Sequence, residues 1–177
     1  MPRYLDSTAG TQLVTLGAWL DEPLKSGLSA YRMQMGYADK AAMQHLCARL
    51  VAKPADLVRI AIGGNHASLT PEAALAACSA VQTGVTGGGL AVGSYANALF
   101  HPKTIHVLRR DGSSAAYVGY AHFTLAGHGR NVESGLVLDT KDGDPSSLLS
   151  EIASAIDAWF RTHRYRLIES SVSRPRE

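Results

Sequence analysis

The stretch KTIHVLRRDGSSAAYVGYAHFTL, residues 103–125, decides the fold of this chain. Its first part, as far as Arg110, and its last part, from Ala115 onward, are both rich in apolar and β-branched residues. An Asp-Gly pair between two such runs, here Asp111-Gly112, is a strong signal for a hairpin turn. The stretch therefore predicts two antiparallel strands joined by a short turn.

Helices are predicted where apolar residues recur at helical spacing next to residues that favour helix ends. Asp39 is expected to cap the second helix, and Asp144 is expected to cap the last one, which is the clearest in the chain. The sequence Asp21-Glu22-Pro23 is expected to end the first helix. The predicted helices cover residues 8–20, 39–51, 70–83 and 145–162.

Strands are predicted from alternating or short continuous apolar runs. Residues 31–35 alternate, which indicates a strand with one solvent-facing side, and residues 57–62 form a continuous run typical of a central, buried strand. The segment 90–100 favours a helix of small residues slightly over a strand. Further strands are predicted at 134–139 and 165–168.

The order of these elements predicts an α+β fold. Helices and strands alternate first and a meander of strands follows. We therefore expect a mainly antiparallel sheet with helices packed chiefly on one face, as a single pair of layers. The length of 177 residues suits one globular domain, 1–177, which ends in a flexible basic tail at 169–177.

Charge and hydropathy narrow the class of function. With 17 basic and 15 acidic residues, the net charge of +2 gives no broad basic field for nucleic acid or for an anionic membrane. No run approaches the roughly 20 apolar residues that span a bilayer, and the first residues lack the apolar run of a signal peptide. We therefore expect a cytoplasmic protein with no membrane partner and no strong nucleic-acid signal.

The two cysteines do not indicate a nucleophile. Cys47 and Cys78 each share a helix face with apolar residues, which is typical of an inert core thiol rather than a reactive one. The seven histidines do not form the His-Glu-x-x-His pattern of a helical zinc site. We therefore predict chemistry without a metal or a cofactor.

Two histidines share a local pattern with a hydroxyl residue. His66 precedes Ser68 by two positions, as His122 precedes Thr124. Because residues i and i+2 of a strand point to the same side, His122 and Thr124 would face one side together with Tyr120. If the His66–Ser68 pair faces the His122–Thr124 pair, the two hydroxyl groups would hold a phosphate between them. One imidazole would then accept a proton and the other would donate one.

The tetrapeptides His66-Ala67-Ser68-Leu69 and His122-Phe123-Thr124-Leu125 resemble the paired motifs of the two-histidine phosphoesterases. Members of that family carry two His-x-Thr/Ser motifs on strands and act on cyclic phosphodiesters or RNA ends. The resemblance covers eight residues of the chain, and it implies a pair of acid–base histidines beside hydroxyl groups that hold the phosphate.

Two functional hypotheses from different classes follow. The first is a small metal-independent enzyme that acts on a phosphoester in a small phosphorylated molecule by histidine acid–base catalysis. The second is a non-catalytic module that binds a protein partner, such as an inhibitor, an adaptor or an immunity-type partner, through an exposed apolar patch. The candidate residues of the enzyme are His122, His66, Thr124 and Ser68 for catalysis and Tyr120, Arg130 and Arg59 for substrate binding. The substrate, the partner and the oligomeric state stay open.

Overall fold

The structure is a computed structural model that describes residues 1–6, 15–63, 89–93 and 99–161. The described part contains seven strands, four α-helices and one short 3-10 helix at Thr140–Asp142. In chain order the elements are β1 (Arg3–Asp6), α1 (Leu16–Ser26), β2 (Leu28–Met35), α2 (Lys40–Ala52), β3 (Leu57–Gly63), β4 (Gly89–Gly93), β5 (Lys103–Arg109), β6 (Ser114–Gly119), α3 (Leu125–Gly129), β7 (Ser134–Asp139) and α4 (Ser146–Ala158).

The seven described strands form one sheet with the order β1-β7-β6-β5-β2-β3-β4. The pairs β1–β7, β7–β6, β6–β5 and β5–β2 are antiparallel, whereas β3 lies parallel between β2 and β4. The predicted α+β class with a mainly antiparallel sheet is confirmed. The hairpin at Asp111-Gly112 is confirmed as β5 and β6, and the run 134–139 is confirmed as β7.

One face of the sheet packs against α1 and α2. Alternate residues of the strands, such as Tyr31, Met33 and Ile105, point to this face and are fully buried. An apolar stripe of α2 lies opposite them, and Asp39 caps that helix as expected, with its carboxylate accepting a hydrogen bond from N of Ala42. The stripe residues Met43, Leu46, Cys47 and Leu50 are all buried in this apolar core.

The other face of the sheet packs against α4. Ala116 and Leu138 contact Leu149 of this helix in a small apolar cluster. The neighbouring part of the same interface is charged, because Arg32 of β2 lies there and pairs with Asp157 at 2.9 Å. The strand 31–35 therefore forms as predicted, but its polar side is covered by α4 instead of facing solvent.

Two predicted boundaries are wrong because the chain turns earlier or later than its apolar pattern indicates. The strand predicted at 115–125 ends at Gly119, and the chain then leaves the sheet and starts α3 at Leu125. The first helix continues through Pro23 to Ser26. Pro23 is buried, and Gly27, with φ of 82°, supplies the turn that ends the helix.

Two further predictions are corrected by tertiary contacts. Residues 89–93 form a strand, not a helix, because they pair in parallel with β3, whose backbone groups on the side away from β2 need partners. Asp144 does not cap α4: its carboxylate accepts a hydrogen bond from N of Asp139 at 2.8 Å instead, and Pro145 takes the cap position.

Several predictions fall outside the described residues. They are the helix at 70–83, the strand at 165–168, the tail at 169–177, residues 8–14 of the predicted first helix and the environment of Cys78. The described first helix begins at Leu16, with Thr15 as its cap. Within the described ranges, none of the helices combines the length and the apolar character needed to cross a bilayer.

Candidate active site

The candidate site lies where β2 ends and β5 begins. His101 precedes the first residue of β5 by two positions, and N of Gly36, just after β2, donates a hydrogen bond to O of Pro102 at 2.7 Å. A Cβ atom at Gly36 would lie 2.7 Å from Cα of His101, which is closer than real contacts allow. Glycine is therefore needed here so that the segment carrying His101 can pack against the end of β2.

Lys103 places an ammonium group against the ring of His101. Its Nζ lies 3.0 Å from Nδ1 and 3.2 Å from Nε2 of that imidazole. The Lys103 side chain is largely buried, with the residue only 6% exposed, and this burial lowers its pKa. A buried ammonium that lacks full solvation gains strongly from an anionic ligand, so this group is suited to bind a phosphate oxygen.

His122 is the third member of the group that His101 and Lys103 form. It lies in the loop between β6 and α3, and its ring centroid is 5.6 Å from that of His101, in an edge-to-face arrangement. The Tyr37 ring also meets the His122 ring edge-to-face, with centroids 5.3 Å apart. The two imidazoles and the Lys103 ammonium therefore converge at one end of the sheet.

Tyr120 forms the solvent side of this group. Its ring centroid lies 4.8 Å from Nζ of Lys103, which is within cation–π range, and 6.4 Å from the ring of His122. Tyr120 is 65% exposed, so a ligand that reaches Lys103 would meet this ring first. Tyr120 and His101 are both exposed, so the group borders solvent at these two rings, whereas Lys103 is buried at the start of β5.

The other predicted site residues are found in different surroundings. Thr124 is buried, and its hydroxyl oxygen accepts a hydrogen bond from N of Gly127 at 2.8 Å as the cap of α3. Arg59 pairs with Asp157 at 2.8 Å beneath α4, and Arg130 is exposed at the end of α3. His66 and Ser68 lie outside the described residues.

The structure changes the basis on which His122 was singled out. His122 and Thr124 are not on a strand, so they do not share a face through strand alternation, as the resemblance to the two-histidine phosphoesterases implies. Tyr120 is the predicted site residue that the fold brings into ring contact with His122. His122 itself belongs to the convergent group for a different reason, namely its approach to His101.

Sequence reasoning missed His101 and Lys103. The signal that could have found them was present, because the same two-residue spacing that linked His122 to Thr124 also links His101 to Lys103. Lys103 also opens the strand predicted at 103–110, and a lysine at the first position of a strand can place its charge at the end of the sheet. A pattern that requires a hydroxyl residue two positions after the histidine does not include this pair.

Comparisons with known proteins agree on the fold. The chain is similar to Nuc from Salmonella typhimurium, a phospholipase D family member, with a TM-score of 0.60, 19% identity, and coverage of 96% of this chain and 99% of that one. It is also similar to yeast tyrosyl-DNA phosphodiesterase, with a TM-score of 0.53 and 12% identity over 77% of this chain and 32% of that one.

These likenesses show the fold: the chain has the architecture of the phospholipase D family member Nuc over nearly its whole length. It spans about a third of the yeast phosphodiesterase. No protein-family model and no curated protein sequence matches the chain.

Proposed function

We propose that this chain is a phosphoester hydrolase whose site consists of His101, Lys103 and His122. The observation that carries the proposal is the convergence of two imidazoles and one buried ammonium at a single end of the sheet. Two structures of similar fold support it, since one is a phospholipase D family member and the other is a phosphodiesterase by name.

The residues divide the reaction between binding and proton transfer. Lys103 holds a non-bridging phosphate oxygen and offsets the charge that develops there. One imidazole of the His101–His122 pair accepts the proton of an attacking water, whose oxygen forms a new bond to phosphorus. The other imidazole donates a proton to the leaving oxygen as its bond to phosphorus breaks. Each ring is restored when protons exchange with solvent.

Several residues proposed from the sequence keep a supporting place in this function. Tyr120 is proposed to contact the organic part of the substrate, because its ring is exposed beside Lys103. Arg130 is proposed to attract the anionic substrate from the surface. His66 and Ser68 are still proposed as a second histidine–hydroxyl pair of the site. We propose Thr124 as a residue that holds the His122 loop through the cap of α3.

The test is hydrolysis of bis(p-nitrophenyl) phosphate with EDTA present, which also tests the proposed metal independence. The variants His101→Ala, Lys103→Ala and His122→Ala should each lower kcat/KM by roughly 100-fold or more, because each removes a proton-transfer or charge-stabilising group. His45→Ala is the matched control, because His45 is an exposed histidine on α2, and it should keep wild-type activity.

Circular dichroism and thermal unfolding of each variant separate loss of the site from loss of the fold. Wild-type turnover in a folded His101→Ala or His122→Ala variant would contradict the proposal. Retained activity in the His122→Ala variant alone would exclude the acid–base pair and leave Lys103 and His101 as the remaining groups.

The alternative function, a protein-binding module, has one specific observation in its favour. Tyr4, Leu136 and Val118 pair across β1, β7 and β6 and leave three apolar side chains exposed in a row. Exposed apolar clusters often mark contact surfaces. The hydrolysis assay distinguishes the two functions, because a binding module has no turnover to lose when His101 or Lys103 is replaced.

A further inference from the structure

The loop that carries His122 is bound along its length to the segment that follows β2. Phe123 pairs with Ala38 in an isolated parallel bridge. N of Phe123 donates to O of Tyr37 at 3.1 Å, and N of Asp39 donates to O of Phe123 at 3.0 Å. Because Phe123 is the next residue after His122, these bonds fix the backbone from which the His122 ring projects.

Asp39 adds a second connection through its side chain. Its Oδ1 accepts a hydrogen bond from N of Ala42 at 2.7 Å, which caps α2. Its Oδ2 accepts a hydrogen bond from N of Leu125 at 3.0 Å, in the first turn of α3. One carboxylate therefore satisfies backbone donors at the starts of two helices, which leave such groups without partners inside the helix.

We propose that Asp39 is a positioning residue that holds His122 at its working distance from His101. The inference rests on the proposed function for its catalytic meaning, but its geometric content is independent of any activity. Asp39 binds the His122 loop on the C-terminal side of the ring, through Leu125. On the N-terminal side, Ala121 is fully buried and its N donates a hydrogen bond to Oη of Tyr117 at 3.1 Å.

The anchor for this positioning is α2, which cannot shift easily. Its residues Met43, Leu46 and Leu50 are fully buried in the apolar core. Close packing makes such a helix a rigid support. The carboxylate transmits that rigidity to α3 and to His122, because both of its oxygens are occupied and its rotation would break one of the two bonds.

Two substitutions separate this role from ordinary helix capping. In Asp39→Asn, one acceptor oxygen remains and the other is replaced by an amide donor, so only one of the two helix starts keeps its bond. In Asp39→Ser, the hydroxyl still caps α2 but is too short to bridge to Leu125 as well. Both variants preserve one cap and release the link between the helices.

The experiment combines kinetics with NMR of the histidine rings in the full chain. We expect the nuclear Overhauser effect between the His101 and His122 ring protons to weaken in both variants, and kcat for bis(p-nitrophenyl) phosphate to fall roughly 10- to 100-fold with little change in KM. Asp111→Asn is the matched control. Asp111 also has both carboxylate oxygens occupied, one by Ser113 and one by Lys141, but in the turn at the far end of the β5–β6 hairpin.

The outcomes distinguish the two proposals. If the ring-to-ring effect and kcat both match those of the wild-type protein in Asp39→Asn and Asp39→Ser, the positioning role is wrong. If the wild-type protein shows no turnover but the ring-to-ring effect is lost in the Asp39 variants alone, the hydrolase proposal fails and the positioning of His122 stands. Equal losses in Asp111→Asn would also overturn the positioning role.

Discussion

The two faces of the sheet hold their helices by different interactions: mainly apolar packing on the face towards α1 and α2, and ion pairs as well as apolar contacts on the face towards α4. Towards α1 and α2, the strands present residues such as Tyr31 and Ile60, and the interface is an apolar core. Towards α4, the same strands present Arg32 and Arg59, and both guanidinium groups bond to one carboxylate oxygen of Asp157. Alternate residues of one strand therefore supply a non-directional contact on one side and a directional one on the other.

The difference teaches how each helix is placed. Apolar packing holds α1 and α2 against the sheet, so these positions should tolerate substitution by other apolar side chains of similar volume. The other helix, α4, packs partly through the apolar cluster around Leu149 and partly through the directional bonds of Asp157 near its C-terminal end. Nε1 of Trp159 donates to Oε1 of Gln34 at 2.8 Å, and the Trp159 ring meets Phe100 edge-on at 4.9 Å. Phe100 directly precedes His101, so the charged face supports the candidate site.

Breaking the apolar face should give the largest effect. Ile60 is fully buried on β3, a central strand that pairs with β2 on one side and β4 on the other. Ile60→Ala removes buried methylene groups and leaves a cavity, so we expect a loss of about 4 kcal/mol in the free energy of unfolding. Urea denaturation measures it. A loss smaller than that of Asp157→Asn would show that the charged face is the more important of the two for stability.

The face of the sheet towards α4 should make the free energy of unfolding depend on pH. His106 lies on that face, is only 4% exposed, and burial together with the nearby Arg32 lowers its pKa from 6.5 to about 4, although Asp157 opposes the shift. Between these two values the unfolded chain binds a proton that the folded chain does not. Stability should therefore fall by about 3 kcal/mol as the pH falls through this window.

This pH effect is measured as the slope of unfolding free energy against pH, in the wild-type protein and in His106→Gln. The glutamine variant should lose the part of that slope that comes from position 106, because glutamine does not titrate. The slope that remains includes His128, whose pKa is also lowered by burial. His45→Gln, which replaces an exposed histidine, serves as the control. An unchanged slope in His106→Gln would show that His106 is not neutralised by its surroundings.

The ion pairs of the charged face should give the smallest of the three effects. Burial alone would raise the pKa of Asp157, but hydrogen bonds from Arg32 and Arg59 outweigh it and lower that pKa. Asp157→Asn leaves two partly exposed guanidinium groups side by side. We expect a loss of about 1–2 kcal/mol at low salt.

Added salt should reduce this loss, because it screens the repulsion between the two arginines. Denaturation of Asp157→Asn at low and high ionic strength measures that dependence, and Glu151→Gln, an exposed change on the same helix, is its control. A loss that does not depend on salt would indicate that Asp157 acts through packing and not through charge.

The elements that the sequence predicts correctly are those with clear local signals, including the helix α2 and the strand β3 of the apolar core. The helix capped by Asp39, the strand at 57–62 and the hairpin at Asp111-Gly112 all follow from local pattern and turn chemistry. The charged face was not predictable in the same way, because Arg32 on an alternating strand reads as solvent-exposed until the partner carboxylate, 125 positions away, is known. Local patterns carry no information about such distant pairs.

The same limit applies to the candidate site. His122 was found, but on the argument that it lay on a strand, whereas it lies in a loop held by Tyr37 and Asp39. Its approach to His101 depends on β5 and β6 being neighbours and on the loop folding back over Lys103. Neither contact follows from spacing along the chain. Strand 89–93 was missed because its pairing with β3 outweighs a weak local preference.

The glycines that end β2 and β3 also restrict how this sequence can diverge. A Cβ atom at Gly36 would lie 2.9 Å from O of Phe100, and one at Gly63 would lie 3.0 Å from the same oxygen and 2.6 Å from O of Gly36. Backbone atoms cannot move aside as a flexible side chain can. Descendants of this chain that keep His101 in place are therefore confined to glycine at both positions, even though neither glycine contributes an atom to the chemistry.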